Sequence, residues 1–223
     1  MSEDARSEIY NRILKAVLEH RLPPGTRLIE DRISSLFDTS RSQVREVLAR
    51  LGHEGIVTTI MHKGAFISEP SPQETRELFD VRRMIEPGIV RRLVSVRSPD
   101  SMKALAKLVN KEVVARAAQD RPAIVRLSAE FHILMAECAG YKRLVGTMRA
   151  LCTLTCLALY LYDAPHSSAC REDEHQLILE AIEGGKTEDA VALLLAHLDH
   201  AEAALDLRAH DETPVDLVSV LAM

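Results

Sequence analysis

Long apolar runs are missing from this sequence: the longest stretch without a charged residue runs only from Ala150 to Tyr162, well short of the roughly 20 residues that a bilayer-spanning helix needs. The N-terminus, Met-Ser-Glu-Asp-Ala-Arg, has no apolar segment behind it, so a secretory signal is not expected and the cytoplasm is the expected compartment. Cysteine is scarce. Cys138, Cys152, Cys156 and Cys170 form no Cys-x-x-Cys pair, which argues against a disulfide framework. They read as small core hydrophobes rather than a thiol–metal site. No repeat and no low-complexity tract is present, and no strong charge of one sign: the formal net charge is −5. The first 70 residues are close to neutral and the acidic excess follows them, a split that favours two domains.

What remains is ordinary globular material. With 223 residues, 47% hydrophobic and 27% charged, the chain can bury a real core, which excludes a disordered or collagen-like protein. From Glu3 to His20 the residues Ile9, Tyr10, Ile13, Leu14, Val17 and Leu18 recur at helical spacing, one buried stripe of an amphipathic helix ended by Pro23-Pro24-Gly25. A short helix over 30–37 turns Ile33, Leu36 and Phe37 inward. Ser40 then stands where an N-cap belongs, and a third helix over 41–53 buries Val44, Leu48 and Leu51. Two helices joined by a short turn read as helix-turn-helix. The β-branched run Ile56–Ile60, the turn Met61-His62-Lys63-Gly64 and the return Ala65-Phe66-Ile67 predict a β-hairpin. Ser68–Pro72 is expected to continue neither strand nor helix, placing a boundary near residue 70. Beyond it, helical periodicities over 75–96, 101–118, 123–139, 142–162, 172–183 and 187–209 predict six helices around one core, with Asp211–Met223 as a short seventh or a frayed end. The expected fold is mainly α: a winged helix-turn-helix over 1–70, then an all-α bundle over 71–223.

The run Pro24-Gly25-Thr-Arg-Leu28-Ile-Glu30, then Ser40-Arg41-Ser42-Gln43-Val44-Arg45-Glu46, then Glu54-Gly55-Ile-Val57 and Lys63-Gly64-Ala-Phe66 resembles the winged helix-turn-helix of GntR-type transcription regulators. The resemblance implies contact with double-stranded DNA by Ser40 and Arg41 at the start of the recognition helix, by Arg45 one turn on, and by the wing tip at Gly64 with His62 and Lys63 flanking it. The chemistry agrees, because an arginine at that helix start can donate two hydrogen bonds to guanine and backbone amides there suit a phosphate. Ser42-Gln43 stands where many relatives have Thr-Pro, and Gln43 could itself read adenine. Arg50 and Arg32 are weaker candidates, balanced between phosphate contact and simple solvation.

Asp80-Val-Arg82-Arg83-Met-Ile85-Glu86-Pro87, with Phe131-His132, Glu174-His175 and His197-Leu198 further on, resembles the FCD effector-binding domain of the FadR subfamily. Such domains commonly bind a divalent metal through one aspartate and three histidines. The histidines match His132, His175 and His197; the aspartate position, one turn before the first histidine, is Ser128. Three histidines with an open position still suit a divalent ion, with zinc or nickel favoured over manganese. Tyr141, where relatives commonly carry asparagine, is a candidate pocket wall. Arg82 either takes a ligand carboxylate or pairs with Glu86 one turn along.

Together these features imply a homodimeric, ligand-responsive regulator on a pseudo-palindromic operator, sensing a small organic or sugar acid and releasing DNA. The same three histidines leave two alternatives, a metal-dependent hydrolytic enzyme and a regulator that senses the metal alone.

Overall fold

The computed structural model describes residues 2–163 and 173–208, with side chains described from residue 5. Cys170, His166 and the expected terminal helix over 211–223 lie outside them. The first unit is built from α1 (Ser2–Leu18), β1 (Arg27–Leu28), α2 (Glu30–Leu36), α3 (Arg41–His53), β2 (Val57–Ile60) and β3 (Gly64–Ile67). Its core is aliphatic: Ile9, Ile13 and Val17 of α1 pack with Val44, Leu48 and Leu51 of α3 and with Ile56 and Ile67 of the sheet. The expected hairpin is present, antiparallel with Val57 opposite Ile67 and Ile60 opposite Gly64. Its turn needs positive φ, met by His62 at 60° and Gly64 at 104°; histidine tolerates that region better than β-branched residues do.

Two local readings of the sequence need correction here. Arg27–Leu28 was not anticipated as a strand, yet it pairs with β3 and completes a sheet in the order β1-β3-β2; two residues are too short to show an alternation. Leu36, expected inside, is 75% exposed. Only Ile33 and Phe37, four apart, meet the core from α2, because a two-turn helix on the edge of the unit has one stripe covered.

The second unit comprises α4 (Pro72–Val96), α5 (Pro99–Ala117), α6 (Arg121–Cys138), α7 (Lys142–Tyr162), α8 (Glu174–Glu183) and α9 (Thr187–Ala203). Three of these start earlier than the sequence pattern suggested, and proline is the reason. Pro72, Pro99 and Pro122 occupy the first or second helical position, where the missing N–H would have had no partner anyway. Ser71 caps α4 in a reciprocal box: its hydroxyl accepts from the Glu74 amide at 3.2 Å, and the Glu74 carboxylate accepts from the Ser71 amide at 2.8 Å. The segment 68–72 therefore stops the strand but begins a helix.

α7 is long and apolar enough to cross a membrane by length and composition. In this fold it is the central helix, with Met148, Cys152, Cys156, Leu157 and Ala158 buried and α1, α4 and α6 packed around it. Cys152 and Cys156 lie in the core as free thiols, and Cys138 is half-buried.

Candidate ligand and DNA sites

Each helix of the bundle contributes to one buried polar centre. His132 from α6, His175 from α8 and His197 from α9 are 2%, 3% and 3% exposed. The three rings converge: His132 Nε2 and His175 Nε2 lie 3.2 and 3.3 Å from His197 Nε2. The opposite ring nitrogens all face carboxylates, His132 Nδ1 at 2.6 Å from Glu86, His175 Nδ1 at 2.7 Å from Glu112 and His197 Nδ1 at 2.7 Å from Glu174. Arginines hold two of these carboxylates in turn. Arg82 Nε donates to Glu86 at 2.6 Å, and Arg116 Nη2 donates to Glu112 at 2.5 Å.

Charge states follow from this layout. Burial pushes the His132 and His197 pKa values well below the usual imidazole range, so both rings are neutral at pH 7. Burial alone would raise Glu86 and Glu112, but Arg82 and His132 on one side, and His175 and Arg116 on the other, outweigh it and hold both carboxyls low. An ionised carboxylate can only accept, so each Nδ1 carries the proton, and the neutral His132 and His197 rings each present an Nε2 lone pair. The three inward-facing imidazole nitrogens lie within 4.8 Å of one another. A divalent cation answers that arrangement, with the carboxylates fixing tautomer and ring orientation as outer partners do at histidine–metal sites. The donor set therefore fits a metal.

A cavity of about 170 Å³ opens beside these rings, lined among others by His132, His197, Arg82, Ser128, Thr155 and Cys152. Arg82 makes the pair with Glu86 that the sequence offered, and it also lines this cavity. Its Nε belongs to Glu86 and its Nη1 lies 3.4 Å from Thr155 Oγ1, while its Nη2 is fully buried without a partner. Ser128 lines the same cavity one turn before His132. Placing an acid there, Ser128→Asp, is expected to tighten zinc binding about tenfold and to bring Mn²⁺ into measurable range, since a hard oxygen ligand favours manganese. Competition titration with a chromophoric chelator checks this; unchanged affinity for both ions would show that the position does not reach the centre. Tyr141 is not a wall of this cavity: it stands at the start of α7, 40% exposed. Tyr162 is buried by another task, its hydroxyl donating to the Pro70 carbonyl at 2.7 Å.

Glu86 was expected only as a partner of Arg82 and not of His132, and the outer carboxylates Glu112 and Glu174 escaped the sequence reading. Glu86 and Glu174 sit inside the quoted motifs and could have been found there, Glu174 as the immediate neighbour of His175. Glu112 carries no local signal. Glu174 also holds His200 at 2.5 Å, so His200 is tied to the centre's rim.

In the winged helix-turn-helix, Ser40 caps α3, its hydroxyl accepting from the Gln43 backbone amide at 3.3 Å. Arg41, Ser42, Arg45 and Arg50 are exposed on α3, and Gln43 is half-buried against Thr39. Arg41 and Arg45 each rest on an acid of the first turn of α2, Asp31 at 2.5 Å and Glu30 at 2.7 Å, pairs that sequence spacing did not suggest. Arg50 pairs with Glu54 at 3.1 Å and lies 3.8 Å over the Tyr10 ring, which ties it to the unit's own surface. His62, Lys63 and Gly64 form the exposed wing tip.

Two family models match the chain. Residues 5–67 match the family described as bacterial regulatory proteins, gntR family, and residues 77–200 match the FCD domain. The chain is 24% identical over 195 residues to the HTH-type transcriptional regulator YdhC of Bacillus subtilis, covering 86% of this chain and 87% of the relative. It is 23% identical over 150 residues to the HTH-type transcriptional repressor RspR of Escherichia coli, covering 67% and 66%. The fold is shared with Escherichia coli McbR/YncC, at a TM-score of 0.79 and 21% identity, over 89% of this chain and 95% of that one. A winged helix in front of a six-helix bundle, matched at both ends, thus makes this chain a member of the gntR family with an FCD domain: a transcriptional regulator, not an enzyme.

Proposed function

We propose that the protein is a ligand-controlled repressor: a small carboxylate-bearing metabolite, an organic or sugar acid, enters the cavity beside the three histidines and lowers affinity for a pseudo-palindromic DNA operator. The observation that carries this reading is the pairing of two features in one cavity. Three imidazoles turn their Nε2 atoms inward, and the buried Arg82, which keeps one guanidinium nitrogen unpartnered, lines the same space. His132, His175 and His197 would hold a divalent ion, zinc or nickel before manganese, and the ion would supply an electrophilic anchor for a carboxylate oxygen. Arg82 supports the opposite oxygen. Ser40, Arg41, Ser42, Gln43 and Arg45 meet the major groove, with the wing tip at the adjacent groove and Arg50 at most on a phosphate. Two chains, one per half-site, fit such an operator.

Fluorescence anisotropy on DNA from upstream of the protein's own gene tests this, with zinc and a panel of small hydroxy- and dicarboxylates. One acid is expected to weaken binding at least tenfold, and only in the presence of metal. Release by zinc alone would favour the metal-sensing alternative; no release by any acid would contradict the reading.

A further inference from the structure

The DNA-binding unit contributes one residue to the cavity lining. His20, just beyond α1, lines the same space as His132, His197 and Arg82. Its backbone turns left-handed, φ 54°, and the amides of Arg21 and Leu22 fold back onto the Ala16 carbonyl at 2.8 and 3.0 Å. That reversal ends α1 and sends the ring to α7. There His20 Nε2–H donates to the Cys156 carbonyl at 3.2 Å, and the ring stands edge-on to Tyr160 with centroids 5.2 Å apart. Burial lowers the His20 pKa, so the ring is neutral at pH 7 and can bond in this way without a counter-ion. Cys156 is itself part of the cavity wall.

The surrounding joint is tight. Glu19 pairs with Arg126 of α6 at 3.2 Å, and Leu18 packs in the bundle's core. α7 is shared between the two units: Cys152, Thr155 and Cys156 face the cavity, whereas Leu157 and Leu154 join the winged-helix core. Leu154 Cδ1 lies 3.6 Å from where a Cβ on Gly55 would stand, two residues past the end of the recognition helix α3. α1 in turn packs along α3. From cavity to recognition helix there are only two packed steps.

We propose that His20 is a ligand-contacting residue supplied by the DNA-binding unit, through which occupancy of the cavity is passed to α1 and the recognition helix. This rests on the cavity being the ligand site. A ligand that binds one placement of His20 better than another shifts the head toward that placement, which is all that coupling requires.

Hydrogen–deuterium exchange on the full chain, with zinc and citrate as the probe, decides the matter. In the wild type, added probe is expected to slow exchange at least threefold in α6 and α7 and to change it at least threefold in peptides covering 15–25 and 41–53. His20→Asn keeps a residue that tolerates positive φ but is too short to reach Cys156; it is expected to need more probe for the α6 and α7 response and, at saturating probe, to show that response while losing most of the head's. His20→Gln, which can restore a donor near the ring nitrogen, is expected to recover part of it. An undiminished head response in His20→Asn, or a wild type whose cavity helices respond while its head does not, overturns the proposal and leaves the ligand site standing. No response in α6 and α7 of the wild type overturns the ligand site, and this proposal with it.

Discussion

Replacing Arg41 and Arg45 together by alanine is expected to lower specific operator affinity at least about 30-fold, because each bidentate arginine–base pair is worth about 1–3 kcal/mol and about 1.4 kcal/mol is a factor of ten. Fold stability should hardly change. Both side chains are about two-thirds exposed, at 63% and 66%, and their partners Asp31 and Glu30 also lie on the surface, where such pairs contribute about 0–1 kcal/mol. The two carboxylates keep the guanidiniums near the start of α3 in the absence of DNA, and a phosphate or base edge has to displace or share them. Binding should therefore weaken steeply with salt. Electrophoretic mobility shift or anisotropy on the operator, with thermal melts of the same samples, separates the two effects. Affinity unchanged in the double variant would mean that α3 is not the reading helix.

Arg82→Ala should be the most damaging single change in the bundle. Glu86 is fully buried and ionised against Arg82, so removing the arginine strands a buried charge, at a cost of about 3–5 kcal/mol. At about 2–4 °C per kcal/mol for a chain of this size, the melting temperature should fall by roughly 6–20 °C. Arg82→Lys keeps the charge beside Glu86 but lacks the planar guanidinium with its unpartnered Nη2. It is expected to recover much of the stability and little of the ligand response. Scanning calorimetry and the DNA-release assay read the two quantities independently. An Arg82→Ala protein as stable as the wild type would show that Glu86 is not held as an anion by this pair, and an Arg82→Lys protein with full ligand response would remove Arg82 from the ligand site.

The sequence carried the architecture because the pattern and the packing obey the same periodicity. Ile9, Ile13 and Val17 on α1, and Val44, Leu48 and Leu51 on α3, were readable as buried stripes and meet in one core. The metal-site histidines were readable only through resemblance, since residues 132, 175 and 197 share no local spacing that would mark them as neighbours. Their convergence depends on how α6, α8 and α9 pack. The outer carboxylates show the limit most clearly: nothing local distinguishes Glu112 from the many surface acids, and only the fold brings it to His175. Proline misled in a systematic way. Pro72, Pro99 and Pro122 read as breaks, and each is a helix start, because proline interrupts a helix everywhere except in its first turn. His20 was invisible for another reason, being placed at the cavity by a left-handed turn and by contact between units rather than by its own helix.

Metal content tests the central claim most directly. The wild type and His132→Ala/His175→Ala, each equilibrated with zinc and then dialysed, would be compared by inductively coupled plasma mass spectrometry, with melts before and after chelator. Zinc near one equivalent per chain in the wild type, less than a tenth of that in the variant, and a melting temperature that chelator lowers only in the wild type are the results this account requires, since an ion bound only by the folded state stabilises it. Equal metal in both proteins, or none in either, would contradict it.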